Sequence, residues 1–283
     1  MSTEGPRMPD AGDRFAEFEL GALLGEGGMG RVFRAVGPDG ELVALKILRV
    51  ELAQDDGFRR RFEREASVAQ RINHAHVVKT IAAGEHDGVL YLTQEFIAGG
   101  SLDDRLEREP VLPLDDAVRV CIEVGAGLDA MHGQGLVHRD IKPHNIMLST
   151  DGRAYIADFG LAKDREASTV LTKLGQAMGS LDYMAPEQIR GAEIDARTDV
   201  YALGCVMFEC LTGSAPFADR KGMQVMWAHL RDEPPDPTHD RTDLPDSVGW
   251  AMMKALSKEP EARPPTATAY ARMLQMAARE KTG

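Results

Sequence analysis

Short apolar runs separated by turns dominate the first third of the chain. A glycine-rich segment and Pro38-Asp39-Gly40 break these runs, and the pattern predicts an antiparallel meander. The predicted strands are 19–24, 31–36, 41–48, 77–82 and 89–96. Between the third and fourth strands, apolar residues recur every three or four positions after Asp55-Asp56, which predicts one amphipathic helix.

Helical periodicity replaces the strand pattern after Ala98-Gly99-Gly100, the predicted boundary between two parts of the chain. An apolar-periodic segment begins at Asp115 and ends near Gly133 and Gly135, as expected for a helix with a glycine C-cap. Residues 196–212 are strongly apolar, which predicts a helix buried on most sides. Further helices are predicted at 221–230, 247–256 and 267–279.

Composition narrows the functional classes. The 283 residues allow one large domain or two lobes, and a formal net charge of −12 argues against a nucleic-acid-binding surface, which needs clustered lysine and arginine. Three cysteines without a CxxC pair are typical of a reducing compartment. The sequence shows neither a signal peptide nor an apolar run of about 18 residues. We therefore expect a cytoplasmic chain without membrane contact and with a flexible leader at 1–14, while an anchor in a longer parent chain stays open.

A polar segment between apolar neighbours is the first candidate for chemistry. Residues 138–145 (HRDIKPHN) lie between the strand-like stretches 136–137 and 146–148, and such a loop can present its side chains to a reacting centre. Asp140 could accept a proton from a hydroxyl, Lys142 could neutralise a phosphate and Asn145 could hold a cation. The alternative is a surface turn rich in hydrogen-bonding residues.

The glycine-rich segment 25–30 (GEGGMG) lies between two predicted strands. A dinucleotide-binding fold requires a helix after its glycines, so this placement favours a turn whose backbone N–H groups face phosphates, although a plain hairpin is equally compatible. In the third strand Lys46 stands among apolar residues, and Glu65 lies on the apolar face of the predicted helix, where a carboxylate needs a partner. We expect a Lys46–Glu65 ion pair; a lysine that extends from a sheet edge is the alternative.

Two motifs follow further along the chain. Asp158-Phe159-Gly160 comes after a strand-like stretch at 154–156, which suits a metal-binding carboxylate beside a hinge, while an Asx turn is the alternative. Residues 161–184 contain several hydroxyls and few large apolar side chains, so we expect a mobile segment. It ends at Ala185-Pro186-Glu187, which on its own would also suit a helix N-terminus.

The order of these motifs resembles that of the eukaryotic-like protein kinase family over residues 15–275. A glycine turn, a strand lysine, a helix glutamate, HRDxKxxN, DFG and APE each occur once in this order, and Lys142 is typical of the Ser/Thr branch, as in bacterial Hanks-type kinases. The resemblance implies an α+β, bilobal protein kinase fold. Residues 15–97 would form a small N-lobe with an antiparallel sheet and one key helix, and residues 98–278 a larger, mainly helical C-lobe of the same domain.

The resemblance also implies an enzyme, a protein Ser/Thr kinase that transfers the γ-phosphoryl group of Mg-ATP to protein substrates, with Mn²⁺ as a substitute metal. Asp140 would accept the proton of the substrate hydroxyl, and Lys142 would steady the γ-phosphoryl group. Asn145 and Asp158 would bind the metal.

The other residues of the implied site surround the nucleotide. Lys46, held by Glu65, would contact the α- and β-phosphates. The glycine turn would cover the phosphates, apolar side chains would press on the adenine, backbone groups after the gatekeeper would bind the adenine edge, and a serine would lie near the ribose. These residues are Gly25, Glu26, Gly27, Gly28, Met29, Gly30, Val32, Ala44, Gln94, Glu95, Ile97, Ser101 and Met147.

Regulation by phosphorylation is implied by Arg139, directly before Asp140. This arginine, with help from Lys163, would clamp a phosphate on the activation segment. The candidate phosphorylation sites, in order of preference, are Thr172, Thr169 and Ser168. Ser180 stands where the family usually has threonine, and its hydroxyl would contact Asp140.

The resemblance gives structural roles to three residues of the second part. Asp199 would brace the backbone of the 138–145 loop, and Glu187 would form a buried ion pair with Arg263.

Two departures from the family pattern bear on specificity. Gln94 at the gatekeeper position should narrow the back pocket, and His144 replaces the glutamate with which basophilic kinases bind arginine.

Rival functions stay open at this point. A pseudokinase or scaffold module is disfavoured because the charged residues of the motifs are all present. A small-molecule phosphotransferase of kinase-like fold would generally lack the segment that ends in Ala-Pro-Glu. The chain could also be the intracellular module of a ligand-sensing receptor, and a homodimer of kinase domains stays open.

Overall fold

The structure is a computed structural model that describes residues 8–158 and 181–280. The chain divides into two compact units. The first comprises Met1–His74 and Val78–Ile97, and the second comprises Ala75–Val77 and Ala98–Gly283.

An antiparallel sheet forms the centre of the first unit. In the described part of the chain its six strands are β1 Arg14–Phe15, β2 Phe18–Gly27, β3 Gly30–Val36, β4 Leu42–Leu48, β5 Thr80–His86 and β6 Val89–Glu95. Their order in the sheet is β1-β2-β3-β4-β6-β5. The consecutive pairing of β2, β3 and β4 confirms the predicted meander, whereas β6 lies between β4 and β5 and interrupts the consecutive order.

The register of β3 and β4 places core side chains on one face of the sheet and candidate site residues on the other face. Phe33 pairs with Leu45, and both belong to the buried core of the sheet together with Ile47. Because successive side chains of a strand point to opposite faces, Val32 and its partner Lys46 lie on the other side. The alternation thus keeps the lysine out of the apolar core.

One long helix of the first unit confirms the amphipathic helix predicted after Asp55-Asp56. Helix α2 (Asp56–Ala69) begins after Asp55, whose side chain accepts a hydrogen bond from the backbone N–H of Phe58 at 2.9 Å. Its apolar stripe is buried, as the periodicity predicted. The one-turn helix α1 (Val50–Ala53) was not predicted, because four residues are too few to show a helical period.

The predicted strand at 77–82 is wrong at its start. Strand β5 begins at Thr80 and continues to His86. Val77 instead forms a parallel bridge with Ile156 of the second unit, to which residues 75–77 belong. The apolar pattern of residues 77–82 does not show that Val77 pairs with a different strand from the residues that follow it.

Residues 8–13 fall in the segment expected to be a flexible leader, but they are held against β2. The Gly12 N–H donates to the Leu20 carbonyl at 2.9 Å, and the Leu20 N–H donates to the Asp13 carbonyl at 3.0 Å. Met8 packs against the core of the sheet. The residues directly before β1 are thus attached to the sheet of the first unit by backbone hydrogen bonds.

The described part of the second unit is mainly helical, with one hairpin. Strands β7 (Ile146–Leu148) and β8 (Ala154–Ile156) pair antiparallel. The helices are α3 Leu102–Arg108, α4 Leu114–His132, α5 Pro186–Arg190, α6 Ala196–Thr212, α7 Met223–Arg231, α8 Pro237–Asp240, α9 Asp246–Ala255 and α10 Ala267–Ala278. Helix α6 is buried along most of its length, as its apolar composition predicted. None of the helices in the described ranges combines the length and apolar character that a membrane crossing requires.

Local features of the second unit differ from the predictions. Helix α3 was missed, although Ser101 and Asp104 form a capping box at its start. Residues 136–137 are not a strand. Gly133 has a right-handed φ of −61°, whereas Gly135 has a φ of +74° and makes the left-handed turn.

Candidate active site

Three polar side chains of the 138–145 loop come together in the structure. The Lys142 Nζ lies 3.5 Å from the Asp140 Oδ2. The Asn145 Nδ2 donates to the Asp140 carbonyl at 2.8 Å and to the Asp140 Oδ2 at 3.2 Å. A 3₁₀ turn at Pro143–Asn145 brings the amide back toward the carboxylate. The loop is therefore a folded cluster around Asp140 and not an open surface turn.

Hydrogen bonds connect this loop to the residue before Asp158. The Ala157 N–H donates to the Asn145 carbonyl at 2.9 Å. The Asp140 N–H donates to the His138 Nδ1 at 3.2 Å, so the ring carries its proton on Nε2, which donates to the Ala157 carbonyl at 2.9 Å. Asp158 has a φ of +52°, a left-handed conformation that is strained for a residue with a Cβ.

Asn145 and Asp158 provide the donor atoms that a hard divalent cation prefers. The Asn145 amide nitrogen faces Asp140, which leaves its Oδ1 for a metal. Mg²⁺ commonly takes one or two protein carboxylates and completes its shell with water and substrate phosphates. Among the described residues no group of three or more His, Cys, Asp or Glu side chains could hold a metal by itself. A site completed by a nucleotide fits these residues better than an all-protein site.

Asp199 braces the backbone of the loop from helix α6. Its Oδ2 accepts the His138 N–H and its Oδ1 accepts the Arg139 N–H, both at 2.8 Å. Arg139 has a φ of +65°, and the Gln188 Nε2 donates to its carbonyl at 2.9 Å. The strained residue before Asp140 is thus held at both its N–H and its carbonyl group.

Glu187 and Arg263 form a buried, bidentate ion pair. The Arg263 Nη1 and Nη2 lie 2.7 and 2.8 Å from the two carboxylate oxygens, and both side chains are almost fully buried. The Thr198 hydroxyl donates to the Glu187 Oε1 at 2.7 Å. Burial alone would raise the pKa of Glu187, but the Arg263 guanidinium lowers it below its ordinary value. The pair joins the start of α5 to the segment before α10.

In the first unit, one face of the sheet carries several predicted residues. Val32 pairs with Lys46 across β3 and β4, and Ala44 pairs with Gln94 across β4 and β6. Directly paired residues share a face, as do residues two apart, so these four side chains lie on the same side. Glu65 lies on α2 with a side chain that is 15% exposed. The expected Lys46–Glu65 ion pair stays a prediction.

The glycines of the 25–30 turn divide into two classes. A Cβ on Gly30 would lie 2.0 Å from the Ile47 carbonyl oxygen, so packing between β3 and β4 requires glycine there. A Cβ on Gly25, Gly27 or Gly28 would meet no atom of the described structure within 4 Å. Packing does not explain these three glycines, whereas close approach of a ligand to the backbone would.

Arg31, directly after the turn, connects it to residues 8–13. The Arg31 Nη1 donates to the Asp10 Oδ1 at 2.8 Å and to the Pro9 carbonyl at 3.1 Å. Its Nε lies 3.3 Å from the Glu26 Oε2. The Met29 carbonyl accepts the Arg49 N–H at 2.8 Å. Side-chain and backbone contacts thus hold both ends of the turn.

Two of the predicted nucleotide-binding residues, Glu95 and Ser101, have one group each that bonds within the protein. The Glu95 N–H donates to the Lys79 carbonyl at 2.9 Å, so this N–H is not the group that would face an adenine. The Ser101 hydroxyl, expected near a ribose, donates to the Asp104 Oδ2 at 2.8 Å and accepts the Asp104 N–H at 3.0 Å. Ile97 is buried, and Met147 of β7 bridges to Ser101.

Some predicted residues lie outside the described ones. These are Phe159, Gly160, Lys163, Ser168, Thr169, Thr172 and Ser180.

The sequence reasoning missed residues that hold the site. Gln188 holds the Arg139 carbonyl, and its place one position after the APE motif gave no signal of that role. His132 donates from Nε2 to the Asp199 Oδ2 at 2.7 Å. A histidine in the last turn of a helix could have been flagged, because a cation is favoured there, but its partner 67 positions away could not.

Comparisons with known proteins agree with this geometry. Residues 18–274 match the family described as "Protein kinase domain". The chain is 37% identical over 277 residues to Serine/threonine-protein kinase pkn3 of Myxococcus xanthus, covering 94% of this chain and 50% of the relative. It is 39% identical over 254 residues to Serine/threonine-protein kinase PknH of Mycobacterium bovis, covering 89% of this chain and 42% of the relative. The chain thus spans about half the length of these curated relatives.

A solved structure shares the fold over nearly the whole chain. The crystal structure of the Mycobacterium tuberculosis PknI kinase domain has a TM-score of 0.76 and 31% identity. The match covers 95% of this chain and 100% of the other. The family match, the identities and the shared fold lead to one assignment. The chain belongs to the protein kinase family, within its bacterial Hanks-type serine/threonine kinase branch.

Proposed function

We propose that this chain is an ATP-dependent protein kinase that phosphorylates serine and threonine hydroxyls of protein substrates. The observation that carries the proposal is the cluster of Asp140, Lys142 and Asn145, since a base, a cation and an amide oxygen are the groups that phosphoryl transfer requires. A pseudokinase would not need the three to be held together.

The cluster suggests a division of roles. Asp140 accepts the proton of the substrate hydroxyl, which makes that oxygen a better nucleophile. Lys142 offsets charge on the phosphoryl group during transfer. Asn145 Oδ1 and the Asp158 carboxylate would hold the divalent cation, which we propose to be Mg²⁺, with Mn²⁺ as a substitute. When bound, the cation neutralises charge on the phosphates of ATP.

Residues of the first unit are proposed to bind ATP. Lys46, with Glu65 as its partner, would contact the phosphates, and the glycine turn would approach them with its backbone N–H groups. We keep residues 15–97 and 98–278 as the two lobes of one kinase domain. A cytoplasmic location fits the supply of ATP and the three free, buried cysteines of the described structure. A homodimer of kinase domains is left to measurement.

Incubation of the purified protein with Mg-ATP, followed by mapping of phosphorylated residues, tests the proposal directly. We expect phosphate on serine and threonine of the chain itself and of an added protein substrate such as casein. Replacement of Mg²⁺ by Mn²⁺ or by EDTA in parallel reactions tests the metal. A protein that binds ATP but transfers no phosphate under any of these conditions would be a scaffold and not an enzyme.

Replacement of Thr172 by alanine tests the proposed activation. We expect Thr172→Ala to lower the activity that develops during autophosphorylation, because a phosphate at this position would carry charge for Arg139 to bind. Activity is measured on an added substrate before and after preincubation with ATP, and Thr169→Ala and Ser168→Ala are measured in parallel because these residues are the other candidate sites. Kinetics of Thr172→Ala identical to those of the wild type would reject this site.

Replacement of Arg31 by alanine tests the support of the glycine turn. Arg31→Ala removes the contacts of Arg31 with Glu26 of the turn and with Asp10. We expect the KM for ATP to rise about two- to fivefold with little change in kcat, the range for an exposed ion-pair network. Arg14→Ala, an equal loss of charge at an exposed residue of β1, is the control. Equal KM values for Arg31→Ala and Arg14→Ala would show that the network does not position the turn.

A further inference from the structure

A partly exposed lysine lies against the C-terminal end of α7. Lys258 follows α9, and its Nζ donates a hydrogen bond to the Ala228 carbonyl at 3.1 Å. The same carbonyl accepts the Asp232 N–H at 3.0 Å and belongs to the last turn of α7. The Nζ also lies 4.9 Å from the centre of the Phe217 ring. One amino group thus contacts both a helix end and an aromatic face.

The surroundings of Lys258 offer its side chain little negative charge. Within the described ranges Lys258 forms no ion pair with a carboxylate. The Asp232 carboxylate instead lies 3.4 Å from the Arg220 Nη1. A second cation is close to the same segment, because the Arg263 Nη2 donates to the Lys258 carbonyl at 3.0 Å. The amino group is therefore partly removed from water without gaining a counter-charge.

These surroundings favour the neutral form of the amine. Burial is the main cause that lowers the pKa of Lys258 from 10.5 to about 8; the Arg263 and Arg190 guanidinium groups also lower it, whereas Cys205 and Asp232 raise it. At pH 8 about half of the Lys258 side chains are then neutral, compared with less than about 1% for an ordinary lysine. A desolvated lysine beside another cation is an activated nucleophile.

We propose that Lys258 is an acylation site that reacts with activated acyl groups, carried by an acyl phosphate or an acyl thioester. The neutral Nζ attacks the acyl carbon and forms a C–N bond. The bond from that carbon to the phosphate or thiolate breaks, and this group leaves with the bonding electron pair. The amine proton passes to water, and the product is a neutral amide. The proposal does not rest on the proposed kinase function.

Acylation of Lys258 would remove a cation from the end of α7. A lysine there is favourable because it bonds to a late helix carbonyl and offsets the helix dipole. The amide loses this charge together with the attraction to the face of Phe217. The acyl group also adds atoms where the Nζ now contacts Ala228. We therefore expect the last turn of α7 to loosen on acylation.

The first test measures acetylation rates of individual lysines in the folded wild-type chain. The protein is incubated with acetyl phosphate or with acetyl-CoA at a series of pH values, and peptide mass spectrometry follows each lysine. We expect Lys258 to react about tenfold faster than Lys254 at pH 8, because more of its amine is neutral. The rate at Lys258 should level off above about pH 9. A preference for Lys258 with one donor alone identifies the source of the acyl group. No preference with either donor would overturn the proposal.

Lys254 is the matched control for this measurement. Its Nζ also lies over an aromatic ring, 5.6 Å from the centre of the Trp250 ring, but its side chain is exposed, so water solvates the charge. In concentrated urea neither lysine is buried, and the two rates should become equal. A preference for Lys258 that persists in urea would show that the adjacent sequence and not the fold activates the amine, which would overturn the proposal.

The second test asks whether acylation loosens α7. Amide hydrogen exchange is compared before and after acetylation of the wild type, and in Lys258→Gln and Lys258→Arg. We expect the amides of the last turn of α7 to exchange about two- to fivefold faster in the acetylated protein and in Lys258→Gln, but not in Lys258→Arg, which keeps the charge. If Lys258→Gln does not fold, the acetylated wild type gives the same comparison. Unchanged exchange in the acetylated protein would overturn the effect on α7.

Discussion

Asp140→Asn is expected to lower the rate of phosphate transfer by at least about 100-fold while the protein stays folded. The substitution keeps the size of the side chain but removes the carboxylate that accepts the substrate proton and faces the Lys142 ammonium at 3.5 Å. General-base catalysis contributes a factor of about 10² to 10⁴, so the rate of transfer from Mg-ATP should fall by at least about 100-fold. The measurement is the initial rate of labelled phosphate incorporation into an added protein substrate at saturating ATP.

A matched control separates loss of chemistry from loss of structure. Asp151→Asn makes the same change on an exposed aspartate of the same unit, whose partners are Ser149 and Arg153 in the β7–β8 turn. This variant should transfer phosphate at the wild-type rate. Binding of a fluorescent ATP analogue to Asp140→Asn should also stay close to wild type, since Asp140 is assigned to proton transfer. An active Asp140→Asn protein would remove Asp140 from its role as base.

The features that could be predicted from the sequence are those formed by residues close together in the chain. The meander of the first unit and the long helices α2, α4 and α6 each leave a complete period in the sequence. The cluster of the 138–145 loop could be expected as well, because its polar residues are close in the chain. The family resemblance then supplied roles that no single segment could have indicated.

What the sequence could not give are pairings between distant positions. Asp199 lies 61 residues from His138 and 60 from Arg139, and Glu187 lies 76 from Arg263. Their general roles came from the resemblance, whereas the distances and the added partners did not. Gln188 carried no signal of a part in the site, and the helix-end position of His132 did not indicate its partner, since each side chain acts on a residue that is remote in the chain. The start of the predicted strand 77–82 was wrong for a related reason, because Val77 pairs with Ile156, which is distant in the chain.

The second unit holds its loop through a small number of buried charges. Asp199, Glu187 and Arg263 are each almost fully buried, yet each is surrounded by hydrogen-bond partners from different elements. Buried polar groups of this kind are stable only when every partner is present. The loop geometry that we assign to phosphoryl transfer should therefore be more sensitive to loss of these supports than to substitutions on the surface.

Arg263→Met is expected to be the most destabilising of the substitutions considered. It leaves the Glu187 carboxylate buried without its counter-charge, and breaking a buried pair in this way costs about 3–5 kcal/mol. It also removes the donors to the carbonyls of Ser257, Arg197 and Lys258. The measurement is the free energy of unfolding from urea titration at neutral pH, followed through the intrinsic tryptophan fluorescence.

The neighbouring surface pair provides the control for that experiment. Arg190 and Glu259 also form an ion pair in the second unit, at 3.4 Å, but their side chains are 41% and 67% exposed. Arg190→Met should therefore cost at most about 1 kcal/mol. Equal losses of unfolding free energy in Arg190→Met and Arg263→Met would show that burial does not make the Glu187–Arg263 pair more important for stability.

Acidification gives an independent check on the buried pair. Arg263 lowers the pKa of Glu187 below its ordinary value of 4.5, so the contribution of the pair is present above that value and is lost as pH falls below it. The stability difference between wild type and Arg263→Met should therefore narrow on acidification. The double variant Glu187→Leu with Arg263→Met should recover part of the loss, because it removes the unpaired buried charge. A double variant less stable than Arg263→Met would show that Glu187 contributes through Thr198 and not through the ion pair.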